Sequence, residues 1–316
     1  MVKLRIKLLT MFSALLFTSA HAIWDISTEG DLRYTGSSEE HWVGVDGVSL
    51  VIRKVLADDR GDRWDFGLNS ELSDNFSSFM LHELYANLKG PLGRWNITAG
   101  RVRLPFGLIT DYSTYRYLFD ANEHQTIGFE SDNGLMFSGT RGRLDYGIAL
   151  TQGYGMEFKS GIGHGLLTGR LGFTLGEFDD YILGISAIAG KADQSEHGHG
   201  HADEMVITKR VTAAAVDFTL YSGRAENRSE IVAGMHDDQL MIGAFSALDF
   251  ALSANMSLDL AGSLVRIGDK NNDYIYTGIT WNTQFLTLRG GYTYSHFGGT
   301  PHEISLQLYK LFNFTI

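Results

Sequence analysis

The stretch Arg94-Trp95-Asn96-Ile97-Thr98-Ala99-Gly100-Arg101-Val102-Arg103-Leu104-Pro105-Phe106-Gly107 decides how this chain is read. Trp95, Ile97 and Ala99 fall on one face of an extended segment, with Asn96, Thr98 and Gly100 on the other. That period of two is the mark of a strand with one apolar face. Pro105 has no N–H to give to a sheet ladder, so pairing ends there. From Phe106 to Asp132 alternation is lost over the longest such run in the chain. This run carries Tyr112, Tyr115, Arg116, Tyr117, Phe119, Asp120, Glu123, His124 and Glu130. A loop of that length is functional or disordered, and its aromatic content argues for order.

Working outward, the same alternation recurs along the rest of the chain with turn signals between. Ile26, Thr28, Gly30, Leu32 and Tyr34 alternate with Asp25, Ser27, Glu29, Asp31 and Arg33. Leu144, Tyr146, Ile148 and Leu150 form a second apolar row, and Met256, Leu258, Leu260 and Leu264 a third. The pattern predicts about 16 strands. The connections fall into two sets, short ones such as 140–143 and 253–255 and long ones at 104–132, 152–164 and 191–208.

Composition narrows the class. Lys3, Arg5 and Lys7 precede an apolar run from Leu8 to Ala20 and a small-residue site at Ala20-His21-Ala22. Residues 1–22 therefore read as a secretory signal peptide cleaved near Ala22, leaving 23–316 as a single domain. The net charge of −11 becomes more acidic once that segment is removed, which excludes the basic footprint of a nucleic-acid binder. With no cysteine, thiolate metal sites, cysteine nucleophiles and disulfides are all excluded. Beyond the first 22 residues no apolar run reaches the ~20 residues of a membrane helix. Gly is frequent at 37 against 3 Pro, and there are 5 Trp, 14 Tyr and 19 Phe. A signal peptide followed by a glycine- and aromatic-rich alternating sheet predicts an all-β, antiparallel transmembrane barrel in the Gram-negative outer membrane. Successive hairpins favour that barrel over a soluble sandwich, which needs crossover connections.

These features together resemble the Gram-negative outer-membrane porins. The likeness rests on the hairpin pattern across 23–316 and on a long third external loop entered through Gly100 to Gly107. It rests also on the last strand, Tyr309-Lys310-Leu311-Phe312-Asn313-Phe314-Thr315-Ile316, which is similar to the C-terminal signal read by the barrel-assembly machinery. That strand departs from the common pattern in ending on Ile and in lacking an internal Gly. The resemblance implies a third loop folded into the lumen and passive diffusion of ions and small hydrophilic solutes. It also implies a homotrimer, contact with outer-membrane lipid and lipopolysaccharide, and no cofactor or enzymatic activity.

The inferred lumen face carries Arg33, Arg53, Arg101, Arg103, Arg170 and Arg289. By the resemblance, Arg33, Arg53, Arg101 and Arg103 form a basic side of the constriction, facing Asp111, Asp120, Glu123 and Glu130 of the loop, with Arg116 among them. Selectivity in such a pore comes from width and from charged side chains. Three other stretches hold chemistry outside that scheme. His197, His199 and His201 alternate with Gly beside carboxylates, a composition that suits Zn²⁺, Ni²⁺ or Cu²⁺ as well as a plain polar loop. Asp269-Lys270-Asn271-Asn272-Asp273 starts like a calcium loop but lacks its Gly and distal Glu. His236-Asp237-Asp238 is either a hairpin tip or part of a rim protease site. The alternatives to a porin are thus an outer-membrane protease or phospholipase-like enzyme, and a metal-binding or partner-sheathing barrel.

Overall fold

The computed structural model describes residues 22–38, 40–58, 61–108, 117–119, 126–156, 161–195, 206–297 and 301–316. Residues 1–21 of the expected signal peptide lie outside the described residues, while Ala22 begins the first strand. Sixteen antiparallel strands are found among those described. The first eight are β1 (Ala22–Ser37), β2 (His41–Asp58), β3 (Gly61–Ser73), β4 (Ser78–Lys89), β5 (Asn96–Arg103), β6 (Ser131–Arg141), β7 (Leu144–Thr151) and β8 (Leu166–Leu175). They are followed by β9 (Tyr181–Ser195), β10 (Val206–Ser222), β11 (Ala225–His236), β12 (Gln239–Ser253), β13 (Met256–Ile267), β14 (Lys270–Asn282), β15 (Thr287–Tyr294) and β16 (His302–Thr315).

Each strand pairs with its sequence neighbours, and β1 pairs with β16 to close the barrel. The closing register runs from Asp25 opposite Thr315 to Ser37 opposite Glu303. It extends to the last residue, where the amides of Trp24 and Ile316 donate to each other's carbonyls at 2.8 and 2.9 Å. Closure removes both free sheet edges, so no row of unpaired backbone groups is left to face lipid.

The predicted faces are realised. On β11, Ile231 and Met235 are exposed on the outside while Glu230, Val232 and His236 are buried inside. On β13 and β14 the outer row includes Leu260, Leu264, Ile275 and Ile279, against Asp259, Ser263, Tyr274 and Tyr276 within. An exposed apolar exterior of this extent is what a hydrocarbon environment requires. The connections also divide by end. One end carries 59–60, 90–95, 142–143, 176–180, 223–224, 254–255 and 283–286, while the other carries 38–40, 74–77, 104–130, 152–165, 196–205, 237–238, 268–269 and 295–301, the three longest among them.

Arginine placed on the outer face tests this orientation directly. Ile231→Arg, at the middle of β11 on a residue 63% exposed, is expected to destabilise the lipid-embedded barrel by about 2–4 kcal/mol. Urea titration of the protein folded in phospholipid vesicles measures it. A change within a few tenths of a kcal/mol would reverse the assignment of faces.

Candidate functional site: a charged lumen beside an inward-folded segment

The segment between β5 and β6 is described at 104–108, 117–119 and 126–130, and in all three pieces it packs against the inner wall. Leu104, Phe106, Ile127 and Phe129 are buried in one cluster with Leu166, Ile188, Ala192, Val211, Ala213, Ala215, Val232 and Met241 of β8 to β12. Burial of each large apolar side chain contributes roughly 1.5–3 kcal/mol. Small alanines on the wall leave the depth that the phenylalanines fill. Further along, Leu108 and Phe119 join Phe245, Ala247, Ala261, Tyr274 and Tyr276 of β12 to β14. Phe119 lies 6.1 Å from Phe245 and 5.2 Å from Tyr276, ring centre to ring centre.

Polar contacts fix the same path. The Gly107 amide donates to Ser186 Oγ at 2.9 Å and the Leu108 amide to Glu230 Oε2 at 2.7 Å. Arg228 Nη1 donates to the Tyr117 hydroxyl at 3.1 Å. Gly107 has φ +52°, and a Cβ there would stand 1.8 Å from Glu230 Oε2, so both the conformation and the approach require glycine.

Elsewhere the inner wall is polar, in places on the same strands as the apolar seat. Arg33 reaches Asp31 at 3.3 Å and Asp46 at 2.9 Å. Gln307 Nε2 donates to Asp31 at 2.5 Å, and Arg289 donates to Gln307 Oε1 at 2.6 Å while lying over the Tyr309 ring. Arg53 binds Asp65 through two bonds of 2.8 and 2.7 Å, with its side chain still 44% exposed to the interior. Arg103 stands 3.0 Å from Glu83 and 3.8 Å from Glu130. Arg170 bridges Asp145 at 3.0 Å and Asp217 at 2.5 Å. Arg101 is only 1% exposed and donates to Gly155 O at 3.0 Å, so it braces the 152–156 segment. Gly100 beside it, at φ +129°, breaks the regular extended backbone.

Of the residues expected at a constriction, Arg33, Arg53, Arg103 and Glu130 therefore face the interior in ion pairs. Asp111, Arg116, Asp120, Glu123 and the histidines 197, 199 and 201 lie outside the described residues. At the root of the histidine-bearing connection, His164 Nε2 stands 3.1 Å from Asp193, which also accepts from Thr208 at 2.6 Å. Among the described residues no group of three or more His, Asp or Glu is arranged to hold a metal. Asp237 and Asp238, at φ +49° and +64°, form a two-residue type I′ hairpin turn, and His236 is buried below them.

Sequence reasoning missed two groups. One is an acidic row, Glu226 opposite Asp249 and Asp249 opposite Asp259, on the inner face of β11, β12 and β13 beside Tyr117 and Phe119. The only cue was that all three sit on the polar side of their alternations. The other is His82, which breaks alternation by adjoining Glu83; its nitrogens lie 2.6 Å from Glu130 and 2.7 Å from Glu71.

A closed 16-stranded barrel with an apolar exterior, a charged interior and a segment folded against its inner wall is a porin-like outer-membrane barrel. No protein-family model matches the chain, and no curated protein matches it by sequence. Solved structures do. OmpT, an outer membrane protein of Vibrio cholerae in its trimer form, superposes with a TM-score of 0.70 at 10% identity, covering 92% of this chain and 100% of that one. OmpF of Salmonella typhi in complex with daunomycin gives 0.66 at 12% identity, over 92% and 97%. The anion-selective porin from Comamonas acidovorans gives 0.64 at 13% identity, over 92% and 98%. At these identities the likeness is one of fold.

Gly107→Ala tests the seat of the segment. The added methyl displaces Glu230 and breaks its bond to the Leu108 amide, with an expected cost of about 1–3 kcal/mol. Amide exchange of residues 104–108 should quicken while that of the strands holds. Unchanged exchange at 104–108 would exclude this seat.

Proposed function

We propose that this protein is a non-enzymatic diffusion porin of the Gram-negative outer membrane, passing ions and small hydrophilic solutes through its lumen with a preference for cations. The observation that carries the reading is the contrast between two parts of the lumen wall. Part of the inner wall is covered by the apolar seat of residues 104–108 and 126–130, and the rest presents charged side chains, of which Arg53 stays 44% exposed. Such a lumen suits hydrated solutes, which exchange water for polar wall groups as they pass.

The cation preference follows from the balance of charge near Tyr117 and Phe119. Among the described residues that line the space beside these two rings, Glu226, Asp249 and Asp259 outnumber Arg228, which is itself ion-paired to Glu226. Local charge of one sign raises the concentration of counter-ions at a narrow place. A homotrimer is part of the proposal, supported by the trimer form of the similar OmpT. Contacts with lipopolysaccharide and with the barrel-assembly machinery rest on the resemblance of the last strand to an assembly signal. On the rim-enzyme alternative, Asp237 and Asp238 sit in a hairpin turn with His236 buried below them.

Single-channel recording of the refolded protein in a planar bilayer, with reversal potential across a salt gradient, tests the reading. Stepwise currents with cations favoured are expected. Asp249→Asn with Asp259→Asn should lower the cation-to-anion permeability ratio a few-fold, because a unit charge in water acts with about 1 kcal/mol at 4 Å before screening. A folded barrel that carries no current would overturn the proposal.

A further inference from the structure

Strand β4 holds one residue more than β3 where they pair. Asn69 faces Glu83 and Ser70 faces Leu81, so His82 is the extra residue of a β-bulge. A bulge re-aims its side chain, and here the imidazole is placed between two carboxylates on different elements. Nε2 lies 2.7 Å from Glu71 Oε2 on the wall strand β3, and Nδ1 lies 2.6 Å from Glu130 Oε1. Glu130 is the last residue before β6, where the inward-folded segment returns to the sheet. Its carbonyl accepts from the Leu104 amide at 2.9 Å, so the two ends of the segment are joined at this point.

We infer that His82 is the pin of the 104–130 segment, a positioning residue that ties its return end to β3 and releases it when pH moves to either side. The reason is the donor count of an imidazole. The protonated ring donates from both nitrogens, one to each carboxylate, whereas the neutral ring donates from one and turns a lone pair toward the other carboxylate. Loss of the ring proton on the alkaline side therefore breaks one leg. Protonation of Glu71 or Glu130 on the acid side weakens a leg by removing its charge.

Among the described residues, the charged groups around the pin are Glu71 from β3, Glu83 on β4 itself, Arg103 at the end of β5 and Glu130. Arg103 stays charged throughout and holds Glu83 at 3.0 Å and Glu130 at 3.8 Å. Release of His82 thus loosens the segment and leaves its root attached. Tyr117 and Phe119 of the same connection stand beside the acidic row, so open-channel noise is a second readout of loosening.

This inference rests on the porin reading, so its test needs a readout that is independent of current. Hydrogen–deuterium exchange of residues 104–108 and 126–130, expressed as protection factors, is followed from acid to alkaline pH on the folded barrel. Single-channel records are taken on the same preparations. In the wild type, protection is expected to peak at intermediate pH and fall on both sides, with open-channel noise moving oppositely. His82→Ala should lower the intermediate-pH protection by roughly ten-fold or more, since a hydrogen bond to a charged group is lost at each end. It should also flatten the pH profile.

His82→Gln keeps similar bulk and one donor, so it covers the case in which the alanine variant does not fold. Its protection should be intermediate and flat on the alkaline side. Glu71→Gln should weaken only the leg to β3, since its amide oxygen still accepts from the ring but carries no charge. Wild-type protection and pH profile in His82→Gln or His82→Ala would overturn the pin while leaving currents, and hence the porin reading, intact. A pH-dependent protection lost in the variants of a barrel without current would keep the pin and sink the porin.

Discussion

Everything in this molecule depends on closure of the backbone hydrogen-bond ladder between β1 and β16. In hydrocarbon there is no water to satisfy an exposed N–H or C=O, and each orphaned group costs several kcal/mol. The chain meets that demand down to its last residue, with Ile316 and Trp24 exchanging both backbone bonds. Once closed, the sheet has one surface that must be apolar and one freed from that requirement. The alternation of side chains follows from this split.

The interior then solves a second problem, that of holding residues 104–108, 117–119 and 126–130 of the β5–β6 connection inside a polar cavity. It does so by making part of the lumen wall apolar. Val211, Ala213, Ala215, Val232 and Met241 face inward where period-two reasoning predicts polar residues, and they form a local core with Leu104, Phe106, Ile127 and Phe129. This core lies within the barrel and resembles that of a soluble protein, since water is what the apolar groups leave. Polar anchors such as Glu230 and Ser186 supply direction to a packing force that has none. The cost falls at position 107, where φ is +52° and a Cβ would displace Glu230.

Charge in the lumen is arranged in pairs and short chains. Arg33, Arg53, Arg103 and Arg170 each meet at least one carboxylate within 4 Å. Pairing keeps these guanidinium groups fixed against the wall, and the surplus carboxylates set the sign of the field left in the lumen. The pairs therefore shape the lumen more than they stabilise the barrel, because an ion pair in contact with water contributes little net energy.

Most of the fold was legible in the residue order. Leu260 next to Asp259, or Ile231 next to Glu230, states a strand and its two faces without reference to any neighbour, because a period of two is a local property. Pro105 likewise stated where β5 must stop. The acidic row of Glu226, Asp249 and Asp259 was not legible, since it depends on the register of three strands. Nor was His82, whose direction comes from a bulge that exists only relative to β3. Arg101, expected on the constriction, instead braces Gly155 of a later connection. The sequence by itself determined the strands, their faces and the barrel, because these follow from local alternation and the demand for closure. Which charges meet, and where the long segment is seated, was decided only by the tertiary structure, because both depend on register between strands distant in the chain.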